Sequence, residues 1–172
     1  FLGEINSYRA GLQHCLLETH AQGYGNLHQA LGNAHVQQRR LAHPHPQASW
    51  QSAIHHYTEA LKAFTEGTPA EHLKVLQSLI SVYLTRGNLD PATALQRQGS
   101  GLIRRVLSDD TRPDSEKQRL AIQFASFNQV TVDLWVQQSN YAEALETAEA
   151  DKNSLMTWLL AGWQHPDNTL TP

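Results

Sequence analysis

The chain has 172 residues, which is enough for one domain or one short repeat array with a continuous core. Its composition, with 40% hydrophobic residues, 17% charged residues and a net charge of −3, argues against two classes of protein. It lacks both the clustered basic face of a nucleic-acid binder and the ~20 consecutive apolar residues of a membrane span. We therefore predict no nucleic-acid partner and no membrane partner.

Helices are predicted along the whole chain. Proline and glycine interrupt the sequence at intervals of roughly 15–25 residues, which suits helices and is too long for strands. Between them, apolar residues recur at spacings of three and four, as in Ile54, Tyr57 and Leu61, and so share one helix face. The pattern predicts an all-α protein with about seven helices, over 2–20, 22–41, 48–66, 70–86, 90–107, 114–138 and 141–163.

These helices belong to one predicted domain. Residues 1–163 form a single helical repeat domain, and residues 164–172, which are polar and contain two prolines, form a frayed tail. The chain begins at Phe1 without a signal-peptide pattern, and we expect it to be part of a longer protein. Because the lone Cys15 cannot form an intramolecular disulfide, which is typical of a reducing compartment, we expect a cytoplasmic location.

The sequence repeats itself after about fifty residues. The pattern Ile5-x-x-Tyr8-x-x-x-Leu12 recurs as Ile54-x-x-Tyr57-x-x-x-Leu61, and the segment 30–35 has a counterpart in 78–83. A more degenerate copy runs from 131 to 145. Each copy is a helix pair that cannot bury its apolar face alone, so the pairs are expected to stack and leave one concave surface.

Small residues at fixed positions in these pairs resemble the tetratricopeptide repeat (TPR) family. The matching positions are Leu31-Gly32-x-x-His35 with Ala53, Tyr57 and Ala60; Leu79-Ile80-x-x-Tyr83 with Gly87 and Ala92; and Trp135 with Tyr141 and Ala144. The sequence departs from the family where Ile80 and Ser139 replace glycines and where the loop 39–49 is long. The resemblance implies an α-solenoid of stacked antiparallel helix pairs that acts as a protein–protein interaction scaffold and not as an enzyme.

Two segments resemble the long-period TPR arrays that precede caspase-like CHAT peptidase domains in bacteria, notably cyanobacteria. They are Trp50-x-x-Ala53-Ile54-x-x-Tyr57-x-x-Ala60-Leu61-x-x-Phe64-Thr65 and the stretch from Tyr141-x-x-Ala144-Leu145 to Trp158-Leu159-Leu160. This resemblance implies that the chain regulates an adjoining effector domain, a CHAT peptidase being the candidate. The catalytic His and Cys of such a peptidase would lie outside this chain, so no catalytic residue is assigned to it.

A row of polar side chains is the predicted partner-binding groove. In the first helix of each pair, the residues that face away from the partner helix should line the concave surface. They are Gln29, Asn33, Gln37, Gln77, Ser81, Thr85, Gln129, Asp133 and Gln137. Such side chains can hydrogen-bond the backbone of a protein or peptide partner, which a C-terminal domain of the same chain would also supply. The alternative is an ordinary solvated surface.

Other constellations are interpreted structurally. Ten histidines include His43-x-His45 and His55-His56, but a zinc site needs three or four converging ligands, so we predict no metal and no cofactor. Cys15 lies on an apolar stripe, which indicates a structural thiol. Two alternatives remain open: a structural oligomerisation module, and a histidine-based metal carrier or helical enzyme. Trp158 and Trp163 are candidates for a docking face.

Overall fold

The computed structural model describes residues 2–40, 46–149 and 152. Within these ranges the helices with defined bounds are α1 Leu2–Leu12, α2 Ala21–Arg40, α3 Pro46–Ala63, α4 Pro69–Thr85, α5 Leu89–Leu107 and α6 Asp114–Gln137. Residues 141–149 are also helical and are named α7 here. Since this part of the chain contains no strand, the all-α prediction is confirmed for it.

The helix boundaries follow the punctuation in the sequence, except in the first helix. The predicted helix 2–20 is too long, because α1 ends at Leu12 and residues 13–20 form turns closed by bonds such as His20 N–H to the Leu16 carbonyl at 2.8 Å. Leu16, which continues the apolar stripe of Ile5 and Leu12 in the sequence, is 53% exposed and does not reach the core. The chain reverses here, and Gly11 lies against Leu27 at the start of the α1–α2 contact.

Some predictions fall outside the described residues. The last helix was predicted to run to 163, and the structure describes it through 149. The predicted tail 164–172, the docking residues Trp158 and Trp163, and the His43-x-His45 group all lie outside the described ranges.

From α1 to α6, each helix packs on the next one along the chain, and α4 also packs on α6. The α2–α3 contact is antiparallel, because Gly25 lies against Phe64 while Gly32 lies against Tyr57. A methyl group placed on Gly32 would lie 2.5 Å from the Tyr57 ring. The absence of a side chain at this glycine therefore lets the two helices approach closely.

Aliphatic and aromatic side chains form the interior. The largest cluster joins α4, α5 and α6 around Ile80, Leu102, Phe127 and Leu134, and a second cluster joins α3 and α4. A third, smaller cluster joins α1 to α2 through Ile5 and Leu31. Burying each side chain of this size contributes about 1.5–3 kcal/mol, so the stripes of period three and four supply the packing energy of the helices.

The turns that follow α4 and α6 have the same construction. Asn88 N–H donates to the Tyr83 carbonyl at 2.9 Å, and Asn140 N–H donates to the Trp135 carbonyl at 2.9 Å. The residue before each asparagine has a left-handed backbone, with φ of 71° at Gly87 and 60° at Ser139. This pattern is a Schellman helix end. Its recurrence shows that two helix–turn–helix units share one local geometry although glycine is present in only the first.

Candidate functional site

An open cleft of about 600 Å³ lies between α2 and α4. Trp50 and Tyr57 of α3 complete its lining, and both side chains are buried. The volume is in the usual range for ligand sites. The side chains that line it are Gln29, Asn33, Val36, Trp50, Tyr57, Lys74, Gln77, Ser78, Ser81, Val82 and Thr85.

Helical spacing explains why the cleft walls are polar. In α4, Gln77, Ser81 and Thr85 recur every four residues, which places them along one line of the helix surface. The neighbouring positions Leu76 and Ile80 point into the core and are completely buried. The apolar face of α4 is buried in the core, so the face that lines the cleft is polar.

A tyrosine hydroxyl links the cleft wall to its interior. Tyr57 donates a hydrogen bond to Asn33 Oδ1 at 2.7 Å, which ties α3 to α2. Burial raises the pKa of Tyr57 to about 12, and a hydrogen bond with Ser78 acts weakly in the opposite direction. The hydroxyl therefore stays protonated at neutral pH and acts as a fixed donor.

The hydroxyl groups of α4 offer oxygen acceptors to the cleft. Ser81 donates its own proton to the Gln77 carbonyl at 2.9 Å, and Thr85 donates to the Ser81 carbonyl at 2.7 Å. Each hydroxyl oxygen retains lone pairs after this donation, and Lys74 adds an ammonium group to the same lining. The cleft can accordingly accept backbone N–H groups and attract a carboxylate.

The structure brings together five of the nine side chains predicted for the groove. Four predicted residues lie elsewhere: Gln37 is exposed on α2, Gln137 is exposed at the end of α6, and Gln129 donates to Asp133 Oδ1 at 3.3 Å on the exposed face of α6. The five that line the cleft are Gln29, Asn33, Gln77, Ser81 and Thr85.

Sequence reasoning missed the aromatic and basic members of the lining. Tyr57 was assigned to the packing stripe of its helix, Trp50 was named only in the family resemblance, and Lys74 had no assigned role. The available signal was the spacing of seven between the two aromatic residues, which puts them on one face of α3. That spacing does not distinguish a core position from the wall of a cleft.

Four histidines of α2 and α3 form a second cluster. His28 Nδ1 lies 3.0 Å from His56 Nδ1, and the rings of His35 and His56 are stacked with centroids 5.5 Å apart. His55 contacts the cluster from its exposed position, with ring centroids 5.3 Å from His56. His28 and His35 are two turns apart on α2. The sequence gave no sign that His56 of α3 contacts both rings.

Neither the histidines nor Cys15 form a metal centre in the part of the chain that is described. Among these residues, no group of three or more His, Cys, Asp or Glu side chains has a geometry that could hold a metal ion. Cys15 was predicted to lie on an apolar helix stripe, and this prediction is wrong, because Cys15 lies in the turn segment after α1. Its free thiol is half-buried and lies against Gly23.

The comparisons with known proteins identify no relative of this chain. No family model, no curated protein and no solved structure matches the chain. None of the described helices has the length and apolarity needed to cross a bilayer.

Proposed function

We propose that the chain is a protein–protein interaction scaffold and that the cleft between α2 and α4 holds a segment of a partner polypeptide. The convergence of five predicted polar residues on one cleft of about 600 Å³ carries this proposal. A backbone presents N–H groups at regular intervals, and hydroxyl and amide oxygens spaced every four residues along α4 are suited to accept them. The partner is a protein or peptide, with a C-terminal domain of the same chain included.

The architecture proposed with this function is a TPR-like α-solenoid of stacked antiparallel helix pairs. The equal turns after α4 and α6 and the packing of each helix on the next support it. An open cleft between α2 and α4 is what stacked pairs leave between their first helices. Regulation of an adjoining CHAT peptidase, a cyanobacterial origin and a cytoplasmic location remain predictions from the sequence, and no catalytic role is proposed for this chain.

Two repeat-equivalent positions provide the test. Ser81 lines the cleft, whereas Asp133, which follows it by one repeat of 52 residues, is exposed on α6 outside the lining. Peptides are first selected from a displayed random library on the wild-type protein. Because the tyrosine side chain would fill the cleft, we expect Ser81→Tyr to lower the affinity for the selected peptides at least tenfold, or about 1.4 kcal/mol.

Asp133→Tyr is the matched control, and it should leave the affinity unchanged. Circular dichroism checks that both variants keep the helix content of the wild-type protein. Wild-type affinity in both variants, or a failure to select any peptide, would contradict the proposed site. Loss of binding in both variants would move the site to the longer groove predicted from the sequence.

A second candidate function is structural oligomerisation. Tyr141 and Leu145 of α7 are 65% and 63% exposed, and Val136 at the end of α6 is 46% exposed. Tyr141 and Leu145 are four residues apart on α7 and so share one helix face, and exposed apolar side chains grouped in this way are typical of an interface. Light scattering separates the candidates, because a Leu145→Glu variant should dissociate an oligomer and should not change peptide binding in the cleft.

A further inference from the structure

The hydrogen bond between His28 and His56 requires at least one neutral imidazole, which supplies the acceptor nitrogen. A neutral imidazole has one N–H donor and one acceptor nitrogen, whereas an imidazolium has two donors and no acceptor. The two Nδ1 atoms are 3.0 Å apart, so one ring must donate and the other must accept. If both rings were protonated, two N–H groups would face each other across the α2–α3 contact, and the bond would become a repulsion.

His35 extends this arrangement along α2. Its ring stacks on His56 with an interplanar angle of 8°, and its Nε2 is buried without a hydrogen-bond partner among the described residues. His28 and His35 are only 6% and 7% exposed. Water therefore has little access to either ring, so solvent can do little to stabilise a charge on either imidazole.

The charges around the cluster also oppose protonation. Arg9 of α1 acts on His35 and His56, while Lys62 and His55 of α3 act on His28. Lys74 of α4, which packs on α3, lies in the neighbouring cleft.

Glu59 is the carboxylate that favours a charged His28, but it is already engaged. It accepts hydrogen bonds from the Tyr24 hydroxyl and from Lys62, each at 2.6 Å, and Glu18 acts on Tyr24 from the turn segment. A carboxylate with two donors has less capacity to compensate a new imidazolium.

We propose that His28, His35 and His56 form a proton-sensitive latch that holds α2 against α3 while neutral and releases α2 when protonated. Gln29 and Asn33 form the α2 wall of the cleft, so release of α2 would also open that wall. The latch concerns the contact between two helices, and it stands whether or not the cleft binds a polypeptide.

The direction of the histidine pKa values supports the latch. Burial lowers the pKa of His28 and of His35, and burial together with the other histidines and Arg9 lowers the pKa of His56 from 6.5 to about 4. The unfolded chain therefore takes up protons before the folded chain does. The stability is fully present above about pH 6.5 and is lost as the pH falls towards 4.

Urea unfolding at pH 7 and pH 5, in the presence of a chelator, tests the latch. His56 alone should raise the unfolding equilibrium constant roughly 20-fold between these two pH values. In His56→Asn, the amide oxygen can still accept from His28 Nδ1 but cannot take up a proton. This variant should lose most of that 20-fold component, whereas His14→Asn, at an exposed position in the turn segment, should keep it.

Hydrogen exchange locates the effect and provides a second measurement. After correction for intrinsic rates, the amides of α2 and α3 should exchange faster at pH 5 than at pH 7, with little change in α5 and α6. Nuclear magnetic resonance titration of the wild-type imidazoles covers the case in which His56→Asn does not fold. A His56 midpoint above pH 6, equal pH dependence in His56→Asn and wild type, or uniform acceleration of exchange would each overturn the proposal.

Discussion

The α2–α3 pair and the α5–α6 pair use the same backbone contact in different chemical surroundings. In each pair a glycine lies under an aromatic ring: Gly32 under Tyr57, and Gly99 under Phe127. The first contact is bordered by imidazoles and by the Tyr57–Asn33 hydrogen bond, whereas Phe127 belongs to the apolar cluster of α4, α5 and α6. Close packing is thus compatible with either setting, and the proposed pH sensitivity applies only to the contact that is bordered by imidazoles.

A buried histidine near the apolar region sharpens this contrast. His72 Nδ1 donates to the Phe64 carbonyl at 2.6 Å, and its Nε2 lies 3.2 Å from Gln98 Nε2. Both ring nitrogens therefore have polar partners, in contrast to His35, whose Nε2 has none among the described residues. The imidazoles of the α2–α3 cluster differ from His72 because they contact one another: His28 bonds to His56, and His35 stacks on His56.

The largest expected effect comes from removing the aromatic ring of the apolar pair. Phe127→Ala should lower the free energy of unfolding by roughly 3–5 kcal/mol, because Phe127 is 1% exposed and its loss leaves a cavity. Urea unfolding should give the same loss at pH 7 and pH 5. A loss of unfolding free energy that grows at the lower pH would contradict the assignment of pH sensitivity to His28, His35 and His56.

An intermediate effect, with a change of sign, is expected at two glycines of α5. A side chain at Gly99 would collide with the Phe127 ring, so Gly99→Ala should destabilise the protein by about 1–3 kcal/mol. Gly101 has only the end of Arg105 nearby, at 3.6 Å, so Gly101→Ala should stabilise it by about 0.5–1 kcal/mol through higher helix propensity. Thermal unfolding of both variants measures the signs, and equal signs would refute the close-approach role of Gly99.

The smallest effect is expected at the hydroxyl of the histidine-bordered pair. Tyr57→Phe keeps the buried ring and removes the hydrogen bond to Asn33, so it should cost about 0.5–1.5 kcal/mol. Asn33 is exposed, so water can replace the lost donor and keep the cost at the lower end. A cost near that of Phe127→Ala would mean that the hydroxyl, and not the ring, fastens α2 to α3; urea unfolding at pH 7 decides this.

Much of the helix plan was predictable because it depends on local sequence. Prolines and glycines lie at the boundaries between α3 and α4, between α4 and α5, and between α5 and α6, and the apolar stripes of period three and four identify the buried faces. The first helix was predicted too long because Leu16 continues the stripe in sequence but does not reach the core in space. Periodicity records which residues could share a face, and it does not record whether a neighbour is present to cover that face.

The candidate site was predictable in part for the same reason. Five polar residues were found from their helical spacing, because residues four apart must share a face. The other members required knowledge of how the helices approach each other. Trp50 and Tyr57 come from α3, and Gln129 and Asp133, although equivalent in the repeat, lie outside the cleft.

By itself, the sequence determined the helical class, most helix boundaries and the polar character of one face of α2 and α4, since these follow from local spacing and punctuation. Only the tertiary structure decided that His56 lies between His28 and His35 and that the cleft lies between the first two pairs. Helix spacing specifies faces within one element. The distance between faces of different helices depends on which side chains meet, and here it depends on three glycines that admit aromatic rings, Gly25, Gly32 and Gly99.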